Sequence, residues 1–309
     1  MRKYLYLVLS CIIFLFSSCK EPDLKAAYLQ IDLEDVNNCV DVTDFNETHA
    51  LNYDAEQLAS LQQHNFTHVN LYVNGRNLGC WQLPCKVPIL GTSSTDSTDV
   101  VILPCFRKTG MANTVQGYPF FNVLQKRLPL RPGETYDLSQ NPLVYVYSPI
   151  AHFPYLETFN NSSSFTPNDS SSSSLSFQPT IIDGRSVGAI TLNDGNGQHF
   201  IVESTPVTLP TRNYFVYLEV TYKTEANIEI GLKISTGAHA NTVHPVGGIY
   251  SSDGEWKTIY FDLASIITSY NYTGAAVTNA ILDLEGSGEK GKETHFYIDN
   301  IKIIYEPSV

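Results

Sequence analysis

The chain has little positive charge, and it has no apolar run of the roughly 20 residues that a membrane-spanning helix needs. It carries 19 Lys and Arg residues against 31 Asp and Glu residues, which gives a formal net charge of −12. Such an acidic protein repels phosphate backbones and anionic membrane surfaces, so we expect no nucleic acid partner. The apolar fraction of 43% and the aromatic fraction of 12% are typical of a globular protein.

The chain also lacks C-x₂-C spacing and paired histidines, which argues against a zinc site. Four cysteines follow the N-terminal segment, namely Cys39, Cys80, Cys85 and Cys105. Their even number predicts two disulfides in an oxidising compartment. Four cysteines allow three pairings. The short CWQLPC segment favours Cys80–Cys85, which leaves Cys39–Cys105.

The N-terminal segment has the pattern of a secretory signal, with two basic residues, a short apolar stretch and small residues before Cys19. Its ending, LFSSC, resembles a bacterial lipobox, which implies that Cys19 becomes the first mature residue and carries the lipid. The next residues, KEPD, resemble the acidic export tag of surface lipoproteins in Gram-negative lineages. We therefore predict a signal peptide over 1–18, a lipidated tether over 19–26, and a cell-surface protein anchored in the outer membrane. The alternative is an ordinary cleaved signal with an incidental cysteine.

From residue 27 onward, short segments of alternating apolar and polar residues predict strands throughout. In one of them Val69, Leu71 and Val73 alternate with polar residues, and Asn74-Gly75 then predicts a type I′ hairpin turn. One short helix is predicted after Asp54, where Gln57 completes a capping box.

Two resemblances extend this β pattern to a fold. The segments LYVNGRNLGCWQLPCKVPIL and PGETYDL resemble the PEGA-type immunoglobulin-like module of cell-envelope proteins, as found in two-domain surface lipoproteins. The segments LETFNN, GEWKTIYFDL and FYIDNIKIIY resemble the jelly-roll sandwich of carbohydrate-binding modules. The resemblances imply an all-β fold, with an immunoglobulin-like sandwich over 27–149 followed by a C-terminal jelly-roll sandwich over 150–309.

The second resemblance also implies a structural Ca²⁺ as cofactor, because the resembled jelly rolls often tie their first and last strands together with one. The matching positions here are Glu157 in LETFNN and Asp299 in YIDNIK. Backbone carbonyls at Asp183-Gly184 are a plausible source of further ligands, since calcium takes six to eight oxygens. The alternative is that Glu157 is solvated and that Asp299 caps a turn or pairs with a lysine.

Several motifs typical of enzymes occur in contexts that argue against catalysis. Ser186 lies in GRSVG, but the β run AITL follows where a nucleophile elbow needs a helix. Residues 286–291 match G-x-G-x-x-G, but a predicted strand follows instead of a phosphate-binding helix. His239 and His244 adjoin no carboxylate cluster, and the paired carboxylates of strand AILDLE are explained as solvated charges. We therefore predict that the chain is not an enzyme.

One predicted sheet face combines aromatic and acidic side chains, namely Tyr217, Glu219 and, on another strand, Tyr260. Such a face binds a sugar by stacking and hydrogen bonds, or it lines a protein interface. Trp256 is predicted to be a core residue. The predicted function is a binding or scaffolding lipoprotein whose partners are other outer-membrane proteins. The alternative is a surface glycan-binding lipoprotein of a polysaccharide-uptake system.

Overall fold

The computed structural model describes residues 25–111, 113–160, 162–172, 177–193, 198–211, 214–234, 242–269 and 276–307. The predicted signal peptide, Cys19 and His239 lie outside this part of the chain. Most of the regular structure within it is strand, which confirms the all-β fold class. No helix in the described ranges is long and apolar enough to cross a bilayer.

The N-terminal half has two main sheets that enclose one core, and a separate two-stranded pair. Its elements in chain order are β1 (Ala27–Ile31), α1 (Glu34–Asn37), β2 (Val40–Asp41), α2 (Phe45–His49), α3 (Ala55–Leu61), β3 (His68–Val73), β4 (Arg76–Gln82), β5 (Cys85–Ile89), β6 (Thr98–Arg107), β7 (Val115–Gly117), β8 (Gln125–Leu128), β9 (Thr135–Asp137), a 3₁₀ helix (Leu138–Gln140) and β10 (Tyr145–Val146).

In the smaller of these sheets β1 pairs antiparallel with β5 and parallel with β9. The larger sheet has the order β4-β3-β6-β7, and β8 also pairs with β6. Alternate residues of β3 and β6 are buried, and they share a core with β1 and β5. Strands β2 and β10 form a separate parallel pair.

Two local predictions in this half are confirmed. The Asp54 side chain accepts hydrogen bonds from the backbone N–H groups of Glu56 and Gln57, and the Gln57 side chain accepts one from the Asp54 N–H, so the capping box begins α3. Asn74 and Gly75 join β3 to β4 with φ values of 49° and 75°, as the hairpin turn requires.

The C-terminal half is a jelly-roll sandwich of two six-stranded sheets. Its elements are β11 (His152–Glu157), β12 (Thr166–Pro167), β13 (Gln178–Ile182), β14 (Arg185–Leu192), β15 (His199–Glu203), β16 (Val207–Pro210), β17 (Tyr214–Thr224), β18 (Ile228–Ile234), β19 (Thr242–Ile249), β20 (Lys257–Asp262), α4 (Ala264–Ser269), β21 (Ala276–Ser287) and β22 (Thr294–Pro307).

One sheet of this sandwich, which we call the inner sheet, has the order β13-β14-β22-β17-β20, with β11 also paired to β22. The other, the outer sheet, has the order β12-β15-β21-β18-β19, with β16 also paired to β21. The core between them includes Val216, Leu218 and Val220 of β17. The motif residue Ser186 lies within β14, and residues 288–293 connect β21 to β22, so a strand follows each motif.

Candidate functional site

The face of the inner sheet that was predicted to bind a sugar is covered by the N-terminal half. Tyr217, Glu219 and Tyr260 are only 2%, 1% and 1% exposed. Phe106 of the N-terminal half packs against both tyrosines, with ring centroids 5.4 Å from Tyr217 and 4.5 Å from Tyr260. Side chains this buried have no surface for stacking on a sugar. The prediction of a ligand site at these three residues is therefore corrected, because they line the interface between the two halves.

Glu219 lies at the centre of a buried polar cluster in this interface. Tyr118 donates a hydrogen bond to Glu219 Oε1 at 2.6 Å. Lys302 Nζ lies 3.0 Å from Glu219 Oε2 and forms an ion pair with it, but the geometry is not that of a hydrogen bond. His64 Nδ1 is 3.8 Å from the same oxygen. Burial, and secondly the charge of Lys302, lower the pKa of His64 well below its ordinary value, so the imidazole is neutral. The cluster joins the two halves and offers no surface to a ligand.

The predicted disulfides are not formed, because Cys39, Cys80, Cys85 and Cys105 are all free thiols. Cys80 and Cys85 lie on β4 and β5, which belong to different sheets. The Cys39 thiol instead donates to backbone carbonyls of α1. Burial raises the pKa of both Cys39 and Cys105 to about 12, and the neighbour that interacts with Cys105 is Cys80 rather than Cys39.

The two predicted calcium ligands have partners of their own. Glu157 Oε1 accepts a hydrogen bond from the Phe159 N–H at 2.7 Å, and Oε2 accepts one from the Ser164 N–H at 2.6 Å. Asp299 Oδ2 accepts a hydrogen bond from Arg185 at 2.6 Å. Oxygens that already bind N–H donors do not fit a calcium site at Glu157 and Asp299. Within the described ranges no group of three or more His, Cys, Asp or Glu residues could hold a metal ion.

An open groove lies instead on the exposed face of the outer sheet. We call it the sheet groove. It has a volume of about 450 Å³, and its walls come from β18, β19 and β21. Along β21 the side chains alternate, so that Leu282 and Leu284 are in the core while Asp283 and Glu285 line the groove.

Strand register concentrates acidic side chains in and beside this groove. Asp283 is directly opposite Glu203 of β15, and Glu285 is directly opposite Glu229 of β18. Like charges in directly opposite positions destabilise a sheet. Lys233 offsets part of this charge, since its Nζ lies 3.1 Å from Glu203 Oε1 and its charge opposes the rise in the pKa of Asp283. Glu229 and Glu285 form no ion pair with any residue in the described ranges, so the groove carries net negative charge.

Asp283 is the most unusual of these carboxylates. It is 7% exposed, and no donor within the described ranges hydrogen-bonds its side chain. Burial, followed by the charges of Glu203 and Glu285, raises its pKa above the ordinary value. On its other side stands Gly231, and Asp283 Oδ1 is 3.6 Å from the position that a Cβ on this glycine would take. Val243 Cγ1 lies 2.4 Å from the same position, so the Val243 side chain packs over Gly231 beside the carboxylate.

An exposed aromatic ring completes the sheet groove. Tyr250 directly follows β19, is 71% exposed, and lines the groove together with Glu229 and Glu285. A second hollow of about 460 Å³ shares Asn227, Glu229 and Glu285 with the first, so the groove continues along the sheet. The sequence analysis missed Tyr250. The segment GGIYSS contained the information needed to predict its exposure. Successive side chains of a strand point to opposite faces, so a buried Ile249 places the next residue, Tyr250, on the exposed face.

Trp256 was predicted to be core, and the structure leaves it half-buried at the junction of the two halves. Its indole N–H donates to Asp183 Oδ2 at 3.1 Å, and the Arg185 guanidinium lies 5.1 Å from the ring centroid. The prediction that Trp256 is a core residue is therefore wrong, since its side chain lies on the wall of a cleft.

No protein-family model matches the chain, and no curated protein matches it. Solved structures of variants of a family 29 carbohydrate-binding module are similar. The variant complexed with mannohexaose is 15% identical, with 51% of this chain and 94% of the module covered and a TM-score of 0.34. The variant complexed with cellulohexaose is 14% identical, with 51% and 93% covered and a TM-score of 0.31.

The K3 adhesin domain of Lys-gingipain from Porphyromonas gingivalis W83 is also similar, at 10% identity, with 50% of this chain and 98% of that domain covered and a TM-score of 0.35. Likenesses this remote carry no argument about a ligand. The strands of the chain itself define its class, which is an all-β protein with a C-terminal jelly-roll sandwich.

Proposed function

We propose that the chain is a non-enzymatic carbohydrate-binding protein that holds a neutral glycan in the sheet groove. The observation that carries the proposal is Asp283, a buried carboxylate without a hydrogen-bond donor, in an open groove beside the exposed ring of Tyr250. Sugar hydroxyls donate hydrogen bonds to such a carboxylate. The apolar face of a sugar ring packs against an aromatic side chain.

The charge of the groove selects the class of glycan. Glu229, Asp283 and Glu285 all line it, and none of the lining residues that the structure describes is basic. A uronate or sulfate group would be repelled by these carboxylates, whereas a hydroxyl group would not. The continuation of the groove along the sheet suits several sugar units of a chain. The favoured ligand is therefore a neutral polysaccharide.

The test is electrophoresis of the full mature protein through gels that contain mannan, a mixed-linkage glucan, or no polysaccharide. We expect at least one of the two glycans to retard the protein. Tyr250→Ala and Asp283→Asn should each lose this retardation, while the matched surface variants Tyr28→Ala and Asp96→Asn should keep it. If neither glycan retards the protein, or if both groove variants migrate as the wild type does, the proposal is wrong.

We also propose that the protein is attached to the outer membrane through lipid on Cys19 and that it faces outward. The support is the lipobox-like ending of the N-terminal segment. Cys19→Ser should release the protein from the membrane fraction, and unchanged retention with an unmodified N-terminal mass would refute the anchor.

Co-purification from detergent-solubilised membranes distinguishes glycan binding from the predicted scaffold role, in which stable outer-membrane protein partners accompany the chain.

A further inference from the structure

A second cleft, the junction cleft, lies between the two halves and shares no lining residue with the sheet groove. Its volume is about 510 Å³, which is within the range of roughly 300–1,000 Å³ that is usual for small-molecule sites. The N-terminal half contributes several amide side chains. The C-terminal half contributes Arg185, Thr221, Trp256 and Thr258.

Some of the amides hold the fold together, and others are available to a ligand. Asn37 accepts a hydrogen bond from the Phe66 N–H at 2.6 Å and donates to the Phe66 carbonyl, so its role is structural. Gln63 uses only its oxygen, which accepts from Arg185 at 3.0 Å. The side chains of Asn38 and Asn65 make no hydrogen bond within the described ranges. A set of free amide donors and acceptors matches the alternating hydroxyl groups of a sugar.

Arg185 gives the junction cleft a pre-oriented cation. One of its nitrogens, Nη1, donates both to Gln63 Oε1 at 3.0 Å and to Asp299 Oδ2 at 2.6 Å. The guanidinium is further fixed by the ring of Trp256, 5.1 Å away. The N–H groups on Nε and Nη2 have no acceptor in the described part of the chain. An arginine with a free pair of adjacent donors is suited to bind a carboxylate through two hydrogen bonds.

The lining of the junction cleft, unlike that of the sheet groove, contains no carboxylate among the described residues. Arg185 is the only charged side chain among the described lining residues, although the whole chain has 31 acidic residues. His64 is also a lining residue, but its imidazole is buried behind the cleft, and burial lowers its pKa so that it is neutral. A ligand carboxylate in this cleft therefore meets the free edge of Arg185, whose Nη1 is paired with Asp299, and neutral hydrogen-bonding groups.

We propose that the junction cleft binds a saccharide unit that carries a carboxylate. The carboxylate lies on the free edge of Arg185, and the hydroxyl groups bind the amides of Asn38, Gln63 and Asn65. This site is independent of the neutral-glycan site in the sheet groove, since the two differ in residues and in charge. The chain then has one site for neutral sugar units and one for acidic ones.

The experiment uses the fluorescence of Trp256. The sequence has two tryptophans, so the Trp81→Phe variant of the full mature chain leaves Trp256 as the only one. This variant is titrated with galacturonate, glucuronate and N-acetylneuraminate, and with galactose and glucose as neutral controls. We expect a saturable change in emission with at least one acid, at an affinity at least tenfold higher than for its neutral counterpart.

Three further variants in the same background locate the binding. Arg185→Gln removes the cation, and Asn65→Asp adds a negative charge without removing a side-chain contact, so each should weaken binding at least tenfold. Arg127→Gln also removes an arginine that pairs with an aspartate, but outside the cleft, and should leave the affinity unchanged. The proposal is overturned if none of the three acids saturates, if neutral sugars bind equally, or if Asn65→Asp binds as the parent does. Retention of neutral glycans by the sheet groove in those cases leaves the proposed function intact.

Discussion

At the scale of one residue, Asp283 reduces stability within the groove that we propose as a glycan site. Its carboxylate is buried beside Glu203 and Glu285, and the raised pKa means that the folded state disfavours its charged form. At neutral pH the unfolded chain ionises the same group without this cost, so the charge reduces the free energy of unfolding. Residues that lower stability are often retained where function needs them.

Asp283→Asn should therefore stabilise the protein while it weakens glycan binding. The neutral amide removes the repulsion, for a gain on the order of 0.5–1 kcal/mol and a rise in melting temperature of roughly 1–4 °C. Calorimetric melts at pH 7 of this variant and of Asp96→Asn measure the difference. A lower melting temperature for Asp283→Asn than for the control would mean that the carboxylate stabilises the fold, contrary to this account.

His64 predicts a second effect at this scale, in which stability depends on pH. Its folded pKa is far below its ordinary value, whereas the unfolded chain takes up a proton near pH 6.5. The unfolded state thus binds more protons below that pH, and the free energy of unfolding falls as the pH decreases from 7 to 5. The comparison is urea unfolding of wild type and His64→Gln at both pH values. The variant should lose less stability on acidification, and an equal loss in both proteins would exclude His64 as a cause.

Short-range features were predictable from the sequence, and features that depend on distant contacts were not. The capping box of Asp54 and the turn at Asn74-Gly75 involve residues a few positions apart, so propensity alone identifies them. Tyr217 and Tyr260 were assigned to a sugar site because alternation shows only that they leave the core of their own sandwich. Residues of the N-terminal half, more than 90 positions away in the chain, cover that face. The periodicity of a strand does not indicate which distant part of the chain packs against it.

Among the elements, β17 is the strand that connects the two cores. One of its faces packs into the jelly-roll core, and the other packs into the core of the N-terminal half. On this second face Glu219 is directly opposite Lys302 of β22, so the buried ion pair is a cross-strand pair. The sequence predicts β17 as a strand. It does not show whether a charged residue on that strand, such as Glu219, is buried or exposed to solvent, because the alternation of apolar and polar residues is the same in both cases.

This pairing predicts that removing one of the two charges lowers the free energy of unfolding strongly, and that removing both lowers it only slightly. Glu219→Gln leaves Lys302 buried without its counter-ion, and we expect a loss of about 3–5 kcal/mol in the free energy of unfolding. The double variant Glu219→Gln/Lys302→Met should recover most of that loss, because no unpaired charge remains. Urea unfolding of the three proteins measures the difference. A double variant that is no more stable than Glu219→Gln would refute the pairing.

At the scale of the whole molecule the two halves behave as one packed unit. Tyr217, Tyr260 and Ile304 belong to the C-terminal half by sequence but pack in the core of the N-terminal half. Backbone hydrogen bonding also crosses the interface, since the Thr109 N–H donates to the Tyr260 carbonyl at 2.8 Å. An interface of this kind couples the unfolding of the parts that it joins.

We therefore expect the full mature chain to unfold in one transition. Near-ultraviolet and far-ultraviolet circular dichroism should give the same midpoint, because tertiary and secondary structure are lost together. A fragment of residues 150–309, which exposes the aromatic face of the inner sheet, should melt at a lower temperature than the full chain. Two separate transitions in the full chain, or a fragment as stable as the whole, would show that the halves are independent.

Hydrogen–deuterium exchange, with and without a soluble neutral hexaose of the glycan that retards the protein, shows whether the sheet groove holds a glycan. Binding in the groove should slow amide exchange in β18, in β19 and the adjoining Tyr250, and in the second half of β21, which contains Asp283. Peptides from the N-terminal half should be unchanged. Protection confined to the N-terminal half or to the junction cleft, with none in those three strands, would contradict the account.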